Sequence, residues 1–247
     1  MVCDVPSVEE IKLRTRLKEL QVRIGYDFGE DASLLRRAIE HSSAANEERG
    51  RISNESLEFL GDAVLYITIT RMLFNPDEQE GVLTEKRKSL IKNRTLQRVG
   101  DCIGLGDFIS IGKSVKVGKG VTDNMIADTL EAIIGAIYQK DKWRLSASND
   151  AGGSSVEKFI RTWFFDTGIA EMAFSEVDWI SVLKEWCDEH GVKWPKPDPT
   201  AIEGGFECDL ALEPYRAKGK GTSKRAARED WARQILKAIK EDLPEKE

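Results

Sequence analysis

Residues 54–65 read Asn-Glu-Ser-Leu-Glu-Phe-Leu-Gly-Asp-Ala-Val-Leu and open an apolar stretch that ends near Leu73. Apolar side chains recur here every three to four residues, which is the spacing typical of a helix. The stretch is too long for a strand, and Ser53 or Asn54 is placed to cap its first turn. It therefore predicts a central, buried helix.

Two pairs of carboxylates interrupt otherwise apolar helical patterns. Glu58 and Asp62 are spaced i, i+4, so both side chains project from one face of the predicted helix. Asp128 and Glu131 are spaced i, i+3 and share a face of a second apolar segment. Like charges at these spacings repel each other, and a poorly solvated carboxylate without a partner is costly.

A hard divalent cation would offset that cost. Magnesium takes oxygen ligands and prefers a few carboxylates together with phosphate oxygens of a substrate. The chain has only two histidines and no cluster of zinc-type ligands, which favours an oxygen-ligated ion. The alternative is that these acids lie on solvated helix faces or pair with lysine and arginine. Spacing alone leaves both interpretations open.

The composition is that of a folded protein. The 247 residues, 40% hydrophobic and 32% charged, have room for one large domain or two modest ones. No apolar run approaches the roughly 18 residues of a membrane span, and the first residues lack the basic-then-apolar order of a secretory signal. We expect an intracellular, cytoplasmic protein with no membrane partner. The four cysteines form no C-x-x-C pair and are interpreted as reduced thiols.

Charge is distributed unevenly along the chain. The formal net charge is −6, which taken alone argues against a nucleic-acid partner. Residues 214–240, however, contain nine basic and two acidic side chains, a charge of 9 − 2 = +7 that leaves −13 for the remainder. The asymmetry predicts a basic surface near the C-terminus.

The periodicity of the chain changes near residue 177. Before it, helices are predicted at residues 11–24, 33–41, 55–73, 84–103, 124–138 and 156–165, with a surface loop at 144–155. After it come a helix at 179–190, strands at 206–212 and 215–218, and a helix at 223–239. We expect an all-α domain at 1–165, a linker at 166–176 and a small α+β domain at 177–247.

The residues quoted above resemble the ribonuclease III family. Residues 54–65 match its signature Asn-Glu-x-Leu-Glu-Phe-Leu-Gly-Asp-Ala-Val-Leu at every position except the variable one. Further segments are similar to the family at residues 38–42, 46–47, 80–84, 90–93 and 127–138. The resemblance extends over about residues 34–165.

This resemblance implies an all-α endonuclease domain that forms a homodimer and cuts double-stranded RNA. The products would carry 5′-phosphate and 3′-hydroxyl ends with short 3′ overhangs. By matching positions, the ligands of Mg²⁺, with Mn²⁺ as an alternative ion, would be Glu58, Asp62, Asp128 and Glu131. Their role would be to hold an ion that activates water for in-line attack on phosphorus.

Three further residues of this domain match family positions. Glu55 and Glu80 match acids near the cleavage site, although each could instead serve as helix capping or solvated charge. Phe59 matches an aromatic residue that the family inserts into the partner at its dimer interface, and the alternative is ordinary core packing. A symmetric dimer would carry two acid clusters, one for each strand of the duplex.

The C-terminal residues resemble a double-stranded-RNA-binding domain, with the order α-β-β-β-α. Residues 219–227 match its glycine-rich turn and the basic start of its last helix, and the phosphate-contacting candidates are Lys220, Thr222, Ser223, Lys224 and Arg225. Residues 201–205 replace the Gly-Pro-x-His loop of that domain. Acids lie close to the predicted RNA face, namely Asp188, Glu189, Glu229 and Asp230. The alternative is a domain that has kept its shape but binds RNA weakly or contacts a protein.

Together these features favour a metal-dependent endoribonuclease specific for double-stranded RNA. The alternative function is a non-catalytic RNA-binding or ribonucleoprotein scaffold with the same fold. A scaffold has no reason to retain all four candidate ligands, and this chain retains them.

Overall fold

A computed structural model of the chain describes residues 7–30, 32–47, 50–118, 120–141, 153–176 and 178–242. The chain divides into two compact units, Met1–Ser175 and Glu176–Glu247, which are called the first and the second unit below. The predicted loop at 144–155 falls mostly on residues 142–152, which lie outside the described residues. Among the helices of the described part, none combines the length and apolar character needed to cross a bilayer.

The first unit is helical. Its helices are α1 (Val8–Ile24), α2 (Ser33–Ala38), α3 (Ser42–Ala45), α4 (Glu55–Leu73), α5 (Glu80–Ile91), α6 (Asn93–Ile103), α7 (Lys113–Val117), α8 (Asp123–Lys140), α9 (Ser155–Ile160) and α10 (Ile169–Ser175). A 3₁₀ turn, Leu105–Asp107, follows α6, and a π-helical turn, Arg161–Phe165, continues α9.

Helices α4 and α8 form the centre of this unit. Both are rich in apolar residues, and their buried side chains include Leu57, Val64, Leu65, Ile69, Ile126, Leu130, Ile133 and Ile137. Thr122 caps α8, because its hydroxyl accepts a hydrogen bond from the N–H of Met125. Asn54 occupies the N-cap position of α4, but its side chain forms no cap hydrogen bond; its backbone N–H donates to the carbonyl oxygen of Glu40 at 2.9 Å.

Three predicted segments differ from the structure. The helix expected at 33–41 ends at Ala38, and a separate helix, α3, begins at Ser42. The helix expected at 84–103 is two helices, α5 and α6, because the backbone of Lys92 between them is extended, with φ −71° and ψ 143°. The expected linker at 166–176 contains α10, whose residues Ile169, Ala170 and Ala173 are buried in the core of the first unit. The first unit therefore extends to Ser175.

The second unit is a three-stranded sheet with two helices. Its elements are α11 (Trp179–Glu189), β1 (Thr200–Ile202), β2 (Gly205–Leu212), β3 (Tyr215–Gly221) and α12 (Lys224–Asp242). The strands are antiparallel in the order β1-β2-β3. This arrangement confirms the predicted fold class, an all-α domain followed by a small α-β-β-β-α domain.

The two faces of this sheet differ in character, because successive side chains of a strand alternate between faces. Cys208 and Leu212 of β2 are buried in a core that they share with Trp231 of α12. On the opposite face, Asp209 forms ion pairs with Arg216 at 3.1 Å and with Lys218 at 2.8 Å. The outward face is therefore charged and internally paired.

Candidate metal centre and nucleic-acid interface

Two glycines let α4 and α8 approach closely. A Cβ atom on Gly61 would overlap with the carbonyl oxygen of Glu131, and a Cβ atom on Gly135 would overlap with the carbonyl oxygen of Leu57. The helix backbones therefore touch where any side chain would keep them apart. This contact lies next to Glu58 and Asp62 on α4 and includes Glu131 itself on α8.

Three of the four predicted ligands converge at this crossing. Glu58, Asp128 and Glu131 each offer a carboxylate oxygen, and these three oxygens lie within 4.8 Å of one another. All three side chains are half-buried. Asp62 is more exposed and stands beside this group, close enough for its charge to raise the pKa values of Glu131 and Glu58. We call the four residues the acid cluster.

Burial and nearby negative charge disfavour ionisation of Glu58 and Glu131, and burial disfavours that of Asp128. Burial, followed by the charges of Asp62, Asp128 and Glu58, raises the pKa of Glu131 to about 8. Burial also raises the pKa of Glu58, as do the nearby charges of Asp128, Glu55 and Asp62. The pKa of Asp128 is raised by burial, and the charge of His41 partly opposes that increase.

In the part of the chain that the structure describes, the convergent group lacks a lysine or arginine partner. In the described part of the chain, no lysine or arginine forms an ion pair with Glu58, Asp128 or Glu131. Three half-buried carboxylates without a lysine or arginine partner fit a hard divalent ion, which prefers oxygen ligands and offsets their repulsion. Among the described residues, the alternative of pairing with lysine or arginine therefore does not apply to this group.

The two further acids predicted near the cleavage site, Glu55 and Glu80, lie at different positions relative to the acid cluster. Glu55 lies one turn before Glu58 on α4, where its carboxylate accepts a hydrogen bond from Ser53 at 2.9 Å and its charge raises the pKa of Glu58. Glu80 begins α5 and accepts a hydrogen bond from the hydroxyl of Thr84 at 3.1 Å. Glu55 therefore borders the acid cluster, whereas Glu80 is outside the group of converging oxygens.

Phe59 projects away from the core. Its side chain is 82% exposed, although the neighbouring residues Leu57 and Leu60 pack inward. Tyr66 and Ile67, further along α4, are also substantially exposed. Within this chain Phe59 is not a core residue, and an exposed apolar face on a central helix is the kind of surface that another protein surface covers.

The raised pKa values predict how stability depends on pH. The folded state binds more protons than the unfolded state between pH 4.5, the ordinary pKa of Glu131, and about 8, its raised value. The free energy of unfolding of the cation-free protein should therefore fall as pH rises through this window and level off above it. Thermal unfolding in EDTA at pH 5 to 9 measures this, and added Mg²⁺ should stabilise most at the alkaline end.

The matched control for this measurement is Glu131→Gln, which cannot titrate. The difference in unfolding temperature between the two proteins should grow in favour of the variant as pH rises in EDTA. A difference that does not change with pH would show that Glu131 ionises normally in the folded state.

The three cationic candidates for RNA contact in the second unit are ion-paired. Lys220 lies 3.5 Å from Glu207 across the outward sheet face, Lys224 lies 3.4 Å from Asp198, and Arg225 lies 3.0 Å from Glu229. The hydroxyl oxygen of Ser223 accepts a hydrogen bond from the N–H of Ala226, so it caps the start of α12, and Thr222 beside it is exposed. The structure thus gathers Thr222, Ser223, Lys224 and Arg225 at one helix start and turns the Lys220 side chain to the sheet.

One of the acids predicted to oppose RNA has a structural role. The carboxylate of Asp230 accepts hydrogen bonds from the N–H of Lys220 at 3.0 Å and from Gln234 at 2.9 Å, and it pairs with Arg233 at 2.6 Å. Gln234 also donates to the carbonyl oxygen of Lys218. These bonds tie the edge of β3 to α12, and the hydrogen bonds from Lys220, Arg233 and Gln234 outweigh burial so that the pKa of Asp230 is lowered.

Sequence reasoning missed two features of these sites. The first is the reciprocal contact of Gly61 and Gly135, for which the only indication in the sequence was the small size of the two residues. Asp198 carried no signal as a partner of Lys224, because the two residues are 26 positions apart in the chain.

The chain is similar to a known protein family, to curated relatives and to a solved structure. Residues 31–166 match the model of a family described as Ribonuclease-III-like. Ribonuclease 3 of Delftia acidovorans is 33% identical over 235 residues, covering 91% of this chain and 96% of that protein. Ribonuclease 3 of Bdellovibrio bacteriovorus is 31% identical over 231 residues, covering 89% and 94%. A solved nuclease domain of ribonuclease III from Campylobacter jejuni is 28% identical, covers 65% of this chain and 99% of its own, and has a TM-score of 0.49.

Proposed function

The chain belongs to the ribonuclease III family, and on that premise we propose that it is a metal-dependent endoribonuclease that cleaves double-stranded RNA. Its products are strands with 5′-phosphate and 3′-hydroxyl ends and short 3′ overhangs. The observation that carries the proposal is the convergence of Glu58, Asp128 and Glu131 within 4.8 Å, with no lysine or arginine paired to them among the described residues. Its proposed location is the cytoplasm.

The residues of the acid cluster have two different roles in binding an ion. Glu58, Asp128 and Glu131 each contribute one carboxylate oxygen, and Asp62 adds negative charge beside them. We assign Mg²⁺ to this site, with Mn²⁺ as a second ion of similar ligand preference. When bound, the ion supplies Lewis-acid chemistry, activating a water and neutralising charge on the leaving 3′ oxygen. Glu131 must release its proton as the cation binds, because its raised pKa favours the protonated form at neutral pH.

The scaffold alternative is not favoured. A non-catalytic RNA-binding protein would not need half-buried carboxylates that repel one another at the crossing of its two central helices. The relatives that match most of the chain are called Ribonuclease 3. Both observations support hydrolysis of RNA.

A cleavage assay tests the function directly. End-labelled duplex RNA, single-stranded RNA and duplex DNA are incubated with the protein in Mg²⁺, Mn²⁺ or EDTA. We expect cuts in both strands of the RNA duplex, offset to leave 3′ overhangs, in either metal and none in EDTA. Cutting of the RNA duplex in EDTA, or equal cutting of the DNA, would contradict the proposal.

We further propose that two copies of the chain form the working enzyme. In a symmetric dimer each copy supplies one acid cluster, so that the two strands of one duplex are cut together. Phe59 is the proposed contact, because it is 82% exposed on the same helix that carries Glu58. The proposal rests on this exposure and on membership of the family.

Phe59→Asp should therefore convert the dimer to a monomer, because a charge buried at the interface has no partner there. Sedimentation velocity measures the change. Val22→Asp is the matched control, because Val22 is 81% exposed on α1 and the same charge there should leave the dimer intact. A dimer that persists in Phe59→Asp would remove Phe59 from the interface.

A further inference from the structure

The start of α12 carries two cations that are already paired with acids of the same unit. The Nζ atom of Lys224 lies 3.4 Å from Oδ1 of Asp198, and the Nε atom of Arg225 lies 3.0 Å from Oε1 of Glu229. Both cations remain accessible, with 54% and 61% of their side chains exposed. Both belong to the five residues that the sequence assigns to RNA phosphates.

The position of Asp198 is fixed by its neighbours in the chain. Pro197 and Pro199 flank it, and both are buried. A proline ring locks its own φ, and it also restricts the preceding residue to extended conformations. The Asp198 carboxylate is therefore held beside α12 by a stiff segment, although its side chain is 79% exposed.

Both carboxylates pair with cations that would otherwise be available to a phosphate. The N-terminal end of a helix carries partial positive charge from its free N–H groups, and Lys224 and Arg225 add to that charge. Asp198 pairs with the first helical residue, and Glu229 lies one turn further along the same helix. An incoming phosphate must therefore displace them or approach against their charge.

We propose that Asp198 and Glu229 act as internal competitors for RNA phosphates and so lower the affinity of the second unit for duplex RNA. The inference rests on the proposed function, since it assumes that α12 meets RNA. Exposed ion pairs are weak, so the competition reduces binding without preventing it. The first unit then contributes a larger share of substrate selection, because the second unit recruits duplexes only modestly.

Two further acids of this unit, Asp230 and Asp209, do not compete in this way. Asp230 is committed to the backbone N–H of Lys220 and to Gln234. Asp209 pairs with Arg216 and Lys218 on the outward sheet face. Asp209 thus provides a control in which the same charge is removed from an ion pair on a different surface.

The test compares duplex binding by the full chain and its acid-to-amide variants. Wild type, Asp198→Asn, Glu229→Gln, the double variant and Asp209→Asn are titrated in EDTA onto an RNA duplex of about 30 base pairs, longer than the roughly 16 that one such domain spans. We expect the double variant to bind about three- to tenfold more tightly, with smaller gains for each single variant. Its salt dependence should steepen by up to about 0.9 in log–log slope for each cation released.

The control separates local competition from net charge. Asp209→Asn should bind as wild type does, and equal gains in Asp209→Asn and the double variant would overturn the inference, as would no gain in the double variant. Thermal unfolding of every variant confirms that each is folded. Failure of the wild type to cut RNA in Mg²⁺ would instead refute the proposed function, so the two failures are distinguishable.

Discussion

Glu131→Gln should abolish cleavage of duplex RNA in Mg²⁺ while leaving duplex binding intact. Glu131 is one of the three converging carboxylates. Burial and neighbouring negative charge raise its pKa to about 8. An amide keeps the shape of the side chain but cannot neutralise a cation. We expect a loss in kcat on the order of 10³-fold, the upper end of what removing one preorganised electrostatic group costs. Single-turnover cleavage measures the loss, and gel shift in EDTA measures binding.

A matched substitution shows whether the loss is specific. Glu171→Gln makes the same chemical change at an exposed acid on α10, outside the acid cluster, and should cut as wild type does. The Glu131 variant should also lose the stabilisation that Mg²⁺ gives to the folded protein. Undiminished cutting by Glu131→Gln would remove this residue from the active site.

Gly61→Ala should destabilise the first unit and disperse the acid cluster in one step. The new Cβ would overlap with the backbone carbonyl of Glu131, which cannot move aside as a flexible side chain could. Helices α4 and α8 must separate, and overpacking of this kind costs about 3 kcal/mol. For a unit of this size that lowers Tm by about 6–12 °C, which thermal unfolding measures. Cleavage should require a higher Mg²⁺ concentration, because Glu58 and Glu131 are moved apart.

The chain offers a control glycine for this experiment. Gly81 lies in α5, and a Cβ atom there would meet no atom within 4 Å. Gly81→Ala should leave cleavage unchanged and raise the free energy of unfolding by up to about 1 kcal/mol, because alanine restricts the unfolded chain and favours helix. A Gly61→Ala protein as stable and as active as Gly81→Ala would show that the helices do not need their close contact.

The spacing of apolar and acidic residues along the chain predicted most of the helices and the pairing of acids within each helix, but not the contact between the two helices. The apolar periodicity of α4 and α8 identified both central helices, and alternation identified β2. It also placed Glu58 with Asp62, and Asp128 with Glu131, on shared helix faces. The break between α5 and α6 was not predictable, because Lys92 is neither glycine nor proline and only its extended backbone ends the first helix.

The sequence by itself determined which residues could serve as ligands, since the side-chain face of a helix follows from a period of 3.6 residues. The tertiary structure decided that three of the four carboxylates converge within 4.8 Å and that Asp62 stands beside them. That distance depends on how closely two helices pack, which the contact of Gly61 and Gly135 sets. The pairing of Lys224 with Asp198 likewise depended on the fold, because a helix start and a proline-flanked acid become neighbours only when the chain is folded.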